Sequence, residues 1–125
     1  MNKAFQRIIV VDRSRLAHNI FDSLFKPLGF TLLHFNTLQS LKENFSSSVD
    51  CHLLLGDSNV FGNHLENHLA WLESEKNMAT LPKLFLCESG EKKIHSALRK
   101  IAKTEIIEKP FYPEDLLKRV KELCR

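Results

Sequence analysis

The sequence lacks any long hydrophobic run, because its longest apolar stretches have the length of a single strand. A membrane-spanning helix needs about 20 predominantly apolar residues. The first seven residues also lead directly into an apolar strand-like run, which leaves no room for the apolar core of a secretory signal. We therefore expect no membrane segment and a cytoplasmic location.

Cysteine is scarce, and its arrangement excludes two classes of protein. Cys51, Cys87 and Cys124 are odd in number and spread through the chain. This spacing argues against a disulfide framework and against a paired-cysteine metal site. We interpret all three as small apolar residues.

The chain also has little excess charge, with 18 Lys and Arg against 15 Asp and Glu and a net charge of +3. The basic residues are scattered except for a cluster near the end, at Lys118, Arg119, Lys121 and Arg125. Such a cluster is typical of a solvated helix end and is too weak for a nucleic-acid footprint. We expect no nucleic-acid partner.

Strand-like and helix-like segments alternate five times along the 125 residues, a length that fits one domain over residues 1–125. The apolar patterns predict strands over 7–11, 31–35, 52–55, 82–87 and 104–108. They predict helices after the cap Ser14 as far as Pro27 and Gly29, then over 38–45, about 64–76, 91–102 and from Pro113, with a serine loop over 46–48. Parallel strands need crossover helices, so this alternation predicts an α/β fold, a doubly wound (βα)5 parallel sheet.

Three segments at predicted strand ends carry a family resemblance: VVDRS at 10–14, LLGDSN at 54–59 and IIEKPF at 106–111. Together they resemble the receiver domain of bacterial two-component response regulators, and the resemblance covers nearly the whole chain. It implies a flavodoxin/CheY-like sheet with strand order 2-1-3-4-5 and a site at the carboxyl ends of the strands. That order would bring Asp12, Asp57, Cys87 and Lys109 to one rim.

The resemblance also implies a role for each residue of this rim. Phosphoryl transfer to a carboxylate requires an acceptor, a positive charge near the phosphoryl oxygens and usually a Mg²⁺ ion. Asp57 matches the phosphoacceptor, and Lys109 matches the cation, in a Lys-Pro bond that is cis in the family. Asp12, Asp57 and Asn59 match the positions that hold Mg²⁺, and Cys87 stands where the family has a Ser or Thr hydroxyl.

Three residues depart from the family pattern. Arg13 replaces the second of two adjacent acids, Cys87 replaces a hydroxyl, and Ile106 replaces the aromatic residue of the usual switch. Arg13 removes one oxygen ligand and adds a positive charge, so we expect Mg²⁺ binding to be possible but weak. The Arg13 guanidinium would pair with a carboxylate or with phosphoryl oxygens, or else point to solvent.

Two functions remain open. In the first, a histidine kinase or phosphotransfer protein donates a phosphoryl group to Asp57, and the domain signals to a downstream protein target. In the second, the chain is a phosphorylation-independent pseudo-receiver that acts as a protein-binding adaptor. Neither is an enzyme. The chain ends after the fifth helix, so we expect output through a partner unless the sequence is an excised piece of a longer protein.

Three further features have simpler interpretations. A flavin-binding domain would need a phosphate loop rich in Ser, Thr and Gly after strand one, which residues 12–15 do not supply. His64 and His68 are one helical turn apart and would suit a metal, but they do not form the HExxH pattern, and an exposed polar face is the default. A redox-sensitive thiol next to a lysine is one interpretation of Cys87, but a small apolar residue at a strand end is the default.

Overall fold

The computed structural model describes residues 6–45 and 50–124, and in these residues five parallel strands form one sheet. They are β1 (Arg7–Val11), β2 (Thr31–Phe35), β3 (Leu53–Asp57), β4 (Lys83–Glu88) and β5 (Thr104–Lys109). The sheet order is β2-β1-β3-β4-β5. The predicted doubly wound sheet and its strand order are confirmed. The predicted serine loop, the first five residues and Arg125 lie outside the described residues.

Helices connect the strands. They are α1 (Arg15–Phe25), α2 (Leu38–Asn44), α3 (Leu65–Ser74), α4 (Lys76–Ala79), α5 (Lys92–Arg99) and α6 (Pro113–Leu123), with short 3₁₀ segments at Lys26–Leu28 and Ser58–Val60. None of the helices in the described ranges is long and apolar enough to cross a bilayer.

Alternation along the strands builds two hydrophobic layers. In β1, Ile8 and Val10 belong to the layer that packs on α1 and α6, whereas Ile9 and Val11 belong to the layer beneath α2, α3 and α5. All four are at most 1% exposed. Burying each such side chain contributes about 1.5–3 kcal/mol relative to leaving it in water. The sheet is therefore covered on both faces, and its polar chemistry is confined to the strand ends.

Local signals set the helix ends as the sequence predicts. The Ser14 hydroxyl accepts a hydrogen bond from the Ala17 N–H, and Thr37 accepts one from the Ser40 N–H. Such caps satisfy N–H groups that have no partner within the helix. Gly29 ends the segment after α1 with φ of 94°, a left-handed conformation that glycine adopts without a steric penalty.

The predicted helix over 64–76 is wrong in one respect, because two helices occupy this region. Glu75 has extended backbone angles, φ −68° and ψ 122°, and its carboxylate accepts hydrogen bonds from the N–H groups of Asn77 and Met78. The Glu75 side chain thus caps the start of α4, while the extended backbone at Glu75 ends α3. Two strands also extend farther at their carboxyl ends than predicted: β3 reaches Asp57 and β5 reaches Lys109.

Lys83 is buried at the amino end of β4, which the sequence did not predict. Its side chain is fully inaccessible, and its Nζ donates to the Leu81 carbonyl at 2.8 Å. Burial, with the charge of Lys103 nearby, lowers the pKa of Lys83 to about 8. The folded protein therefore holds this proton less tightly than the unfolded chain does.

We predict that Lys83→Met stabilises the protein by about 2 kcal/mol near neutral pH, because it removes a buried charge. The cost of that charge is present in full below the folded pKa and fades as the pH rises from about 8 toward the unfolded value, so the advantage should shrink near pH 10. Urea denaturation at both pH values, with the exposed Lys93→Met as control, measures this. A less stable Lys83→Met at neutral pH would contradict it.

Candidate functional site

The structure brings the four predicted rim residues together at the carboxyl edge of the sheet. Asp57 is the last residue of β3 and Lys109 the last of β5, and the Lys109 Nζ forms an ion pair with the Asp57 Oδ2. Asp12 directly follows β1, and Cys87 is the second-last residue of β4. The Lys109-Pro110 peptide bond is cis. The strand order is what makes residues so distant in sequence neighbours.

Gly56 allows the close packing beneath this edge. It pairs with Phe85 in the neighbouring strand, and a Cβ at position 56 would lie 2.7 Å from the Phe85 ring. Any larger residue would therefore displace the ring, which is fully buried. The glycine therefore lets the Phe85 ring pack directly against β3, one residue before Asp57.

The Asp57 and Lys109 pair is electrostatically unusual because it is largely withdrawn from water. The Asp57 residue is 4% exposed. Burial, with the nearby Asp12 charge, raises the pKa of Asp57 even though Lys109 and the Asn59 N–H oppose the shift. Burial lowers the pKa of Lys109, but the Asp57, Glu88 and Asp12 charges outweigh it and the net pKa is raised. Lys109 therefore stays protonated beside the carboxylate.

Asn59 links the two acids through contacts that the sequence did not predict. Its Nδ2 donates to the Asp12 Oδ1 at 2.9 Å, and its Oδ1 accepts from the Arg13 N–H at 3.2 Å. Its own N–H donates to the Asp57 Oδ1 at 2.9 Å. We call this set of contacts the Asn59 bridge. It ties the loop after β1 to the end of β3.

The Arg13 side chain does not enter the acidic edge. It is exposed and forms no ion pair with a carboxylate in the part of the chain that the structure describes. Arg13 is instead one of the residues that line a cavity beside His18 and His34. Of the arrangements that the sequence left open, pairing of the guanidinium with a carboxylate is therefore not the one that the structure has.

The oxygen donors of this edge do not fit a resident Mg²⁺ as they stand. Mg²⁺ demands near-octahedral oxygen coordination. The Asp12 Oδ1 already accepts from the Asn59 Nδ2 and from the Ser14 N–H at 2.8 Å, while the Asp57 carboxylate is paired with Lys109. Within residues 6–45 and 50–124, no three His, Cys, Asp or Glu side chains are grouped so that they could hold a metal ion. Arg13 thus leaves the edge one acid short.

Cys87 is fully buried, and its surroundings disfavour the thiolate form that reacts. Burial, together with the Glu91 and Asp57 charges, raises the pKa of Cys87 to about 12. Ser58 is a hydrogen-bonding neighbour of the Cys87 side chain, and its hydroxyl donates to the Glu91 Oε1 at 2.6 Å. Sequence reasoning missed both Ser58 and Glu91, because no motif marks a contact between two loops.

His68 in α3 and His64, the residue directly before that helix, are engaged with other groups. The His68 Nδ1 lies 3.0 Å from the Lys42 Nζ, and burial, with the Lys42 charge, lowers the pKa of His68. The His64 ring stacks edge-on against His68 at 6.2 Å between centroids. The positive charge of Lys42 next to His68 disfavours the binding of a metal ion by these histidines.

The sequence matches no family model and no curated protein, but the structure is similar to many solved receiver domains. Full-length FixJ from B. japonicum superposes with a TM-score of 0.82 at 17% identity, over 98% of this chain and 58% of that chain. The receiver domain of an HD domain-containing protein from Pseudomonas fluorescens gives 0.79 at 16% identity, over 99% and 90% of the two chains. The chemotaxis response regulator CheY4 of Vibrio cholerae gives 0.78 at 16% identity, over 95% and 98%.

These identities establish a likeness of fold. The chain has the CheY-like fold of response regulator receiver domains, as the three motifs suggested. It spans just over half of the full-length FixJ chain.

We predict that Mg²⁺ binds only weakly to the wild type and much more tightly to Arg13→Asp, which restores a carboxylate at the edge. Titration of Mg²⁺ against amide chemical shifts measures both affinities, and Arg99→Gln serves as a control for the loss of a positive charge. Tight Mg²⁺ binding by the wild type would refute the expectation, as would equal affinities in wild type and Arg13→Asp.

The thiols should differ sharply in reactivity toward iodoacetamide at mildly alkaline pH. Cys51 is partly exposed, whereas Cys87 and Cys124 are buried and burial raises their pKa values to about 12 and about 11. Because only the thiolate reacts, Cys87 and Cys124 should be alkylated at least roughly tenfold more slowly than Cys51. Peptide mass spectrometry follows each site, and all three should react in urea. Alkylation of native Cys87 at the rate of Cys51 would disprove this.

Proposed function

We propose that residues 1–125 form a phosphoacceptor receiver domain of a two-component phosphorelay, with Asp57 as the acceptor. The observation that carries this proposal is the buried Asp57 carboxylate paired with Lys109 at the carboxyl edge of a receiver-type sheet. A buried carboxylate costs stability unless it is paired. Its presence at the binding edge of the fold therefore favours a chemical role over a structural one.

In the proposed reaction, the Asp57 carboxylate is the nucleophile that accepts the phosphoryl group. One carboxylate oxygen attacks the phosphorus of a phosphohistidine donor, and the phosphorus-nitrogen bond breaks with its electron pair passing to the imidazole. The product is an aspartyl phosphate. Lys109 neutralises charge on the transferred group, and the Asn59 N–H orients the Oδ1. With acetyl phosphate as donor, a phosphorus-oxygen bond breaks and acetate leaves.

The partners follow from this chemistry. A histidine kinase or phosphotransfer protein supplies the phosphoryl group, and a downstream protein target senses the result. The new charge on Asp57 competes for Lys109, which also lies 3.7 Å from the Glu88 carboxylate. Movement of Lys109, the last residue of β5, would thus transmit the change at Asp57 on β3 to Glu88 at the end of β4. The domain passes on a signal and does not turn over a substrate.

The second candidate is a phosphorylation-independent pseudo-receiver that acts as an adaptor. The Asn59 bridge favours it, because Asn59 donates to the Asp12 Oδ1 and to the Asp57 Oδ1 and so occupies one oxygen of each acid. Cys87 and Ile106, in place of a hydroxyl and an aromatic ring, remove the usual means of coupling phosphorylation to the surface.

Incubation with acetyl phosphate, with and without Mg²⁺, should add one phosphoryl group to the wild type and none to Asp57→Asn. Intact-mass spectrometry measures the adduct. Asp50→Asn is the matched control, because Asp50 is an exposed carboxylate near β3 and should not affect the adduct. No adduct on the wild type under either condition would favour the adaptor.

Lys109→Ala should keep the fold and phosphorylate at least roughly tenfold more slowly, because it removes the cation beside the transferred group. The rate of adduct formation measures this, with circular dichroism as the check on folding. Equal rates for a folded Lys109→Ala and the wild type would contradict the role given to Lys109.

A further inference from the structure

A cavity lies at the carboxyl ends of β1 and β2. It has a volume of about 530 Å³ and is lined by Arg13, Arg15, His18, His34, Asn36 and Thr37. Small-molecule sites typically occupy about 300–1,000 Å³. Asp57 and Lys109 do not line this cavity, which is separated from them by β1 and shares only the loop after β1 with the candidate acceptor site.

The walls of the cavity are strongly basic. None of its six lining residues is an acid. Neither Arg13 nor Arg15 lies within ion-pair distance of a carboxylate in the described part of the chain, whereas Arg119 elsewhere pairs with Glu105 at 2.7 Å. Helix α1 begins at Arg15 without an acidic residue in its first turn, so its partial positive charge adds to that of the guanidiniums.

The histidines form the floor of the cavity. The His18 Nε2 lies 2.7 Å from the Asp12 carbonyl, and the His34 Nε2 lies 2.7 Å from the Asp22 Oδ1. The two Nδ1 atoms lie 2.5 Å apart. These contacts hold both rings in place, and the Asp22 carboxylate pairs with His34 and Lys26 rather than with either arginine.

Polar donors complete the lining. The Thr37 Oγ1 accepts from the Ser40 N–H at 2.9 Å, which leaves its hydroxyl proton available to donate. Asn36 contributes an exposed amide. Two planar guanidiniums beside a hydroxyl and an amide suit a tetrahedral oxyanion, and a phosphate monoester with a charge of about −1.5 to −2 matches the two arginine charges.

We propose that this cavity binds a small phosphate-bearing anion, with Arg13 and Arg15 as its principal ligands. Such a site is independent of phosphoryl transfer to Asp57. Because Arg13 belongs to the loop that the Asn59 bridge holds, an anion there would sit one residue from Asp12. The proposed site thus assigns a function to Arg13, which stands where the receiver family has an acid.

Titration of ¹⁵N-labelled protein with inorganic phosphate, pyrophosphate and ADP separately tests the proposal. At least one anion should shift the amides of 13–18 and 34–37, and Arg13→Gln and Arg15→Gln should each weaken it roughly tenfold. Arg99→Gln, an exposed arginine on α5, and Asp57→Asn should bind as the wild type does. A shift with ADP alone would indicate a nucleotide, and one with all three would indicate recognition of the phosphate itself.

Three results would overturn the proposal. The first is the absence of shifts at these amides with all three anions. The second is equal affinity in wild type, Arg13→Gln and Arg15→Gln. The third is binding that Lys109→Ala abolishes while both arginine variants retain it, because the anion would then occupy the acceptor site.

Discussion

The ion pair between Asp57 and Lys109 is the interaction on which the carboxyl edge of the sheet depends. Both residues end strands, and β4 lies between those strands, so the pair forms only if the sheet order and the register of three strands are correct. The Asp57 side chain is 5% exposed whereas that of Lys109 is 30% exposed, so water reaches the pair from the lysine side alone. The pair is thus both a constraint on the fold and a preformed electrostatic site.

Residues around the ion pair determine the packing beneath this edge and the position of the loop after β1. Gly56 lets Phe85 pack beneath the acceptor, and the Asn59 bridge fixes the loop after β1 against β3. Arg13 donates its backbone N–H to that bridge and also lines the cavity beside His18 and His34. One loop therefore borders both the acidic edge and the cavity that contains Arg13 and Arg15.

Much of the fold could be predicted because the relevant physics is local. Short continuous apolar runs mark the strands, and Ser14, Thr37 and Gly29 mark helix ends through contacts within a few residues. Strand order came from the family resemblance, since alternation alone allows several orders of parallel strands.

The remainder depends on tertiary contacts that no motif records. The capping of α4 by Glu75 competes with helix propensity and depends on one side-chain conformation. The burial of Lys83, the Ser58 contact with Glu91 and the pairing of His18 with His34 each join segments whose approach is set by packing. The motifs predicted which residues meet at the acidic edge, but they did not indicate how Asn59 and Arg13 orient there.

Chemical trapping of the acyl phosphate is the most direct test of the central claim that Asp57 is the phosphoacceptor. Borohydride reduces an aspartyl phosphate to homoserine, a stable residue that tandem mass spectrometry places in the sequence. After incubation with a phosphoryl donor, homoserine should appear at position 57 and at no other acid. Homoserine at position 12, or no homoserine while a phosphoryl adduct is present, would contradict it.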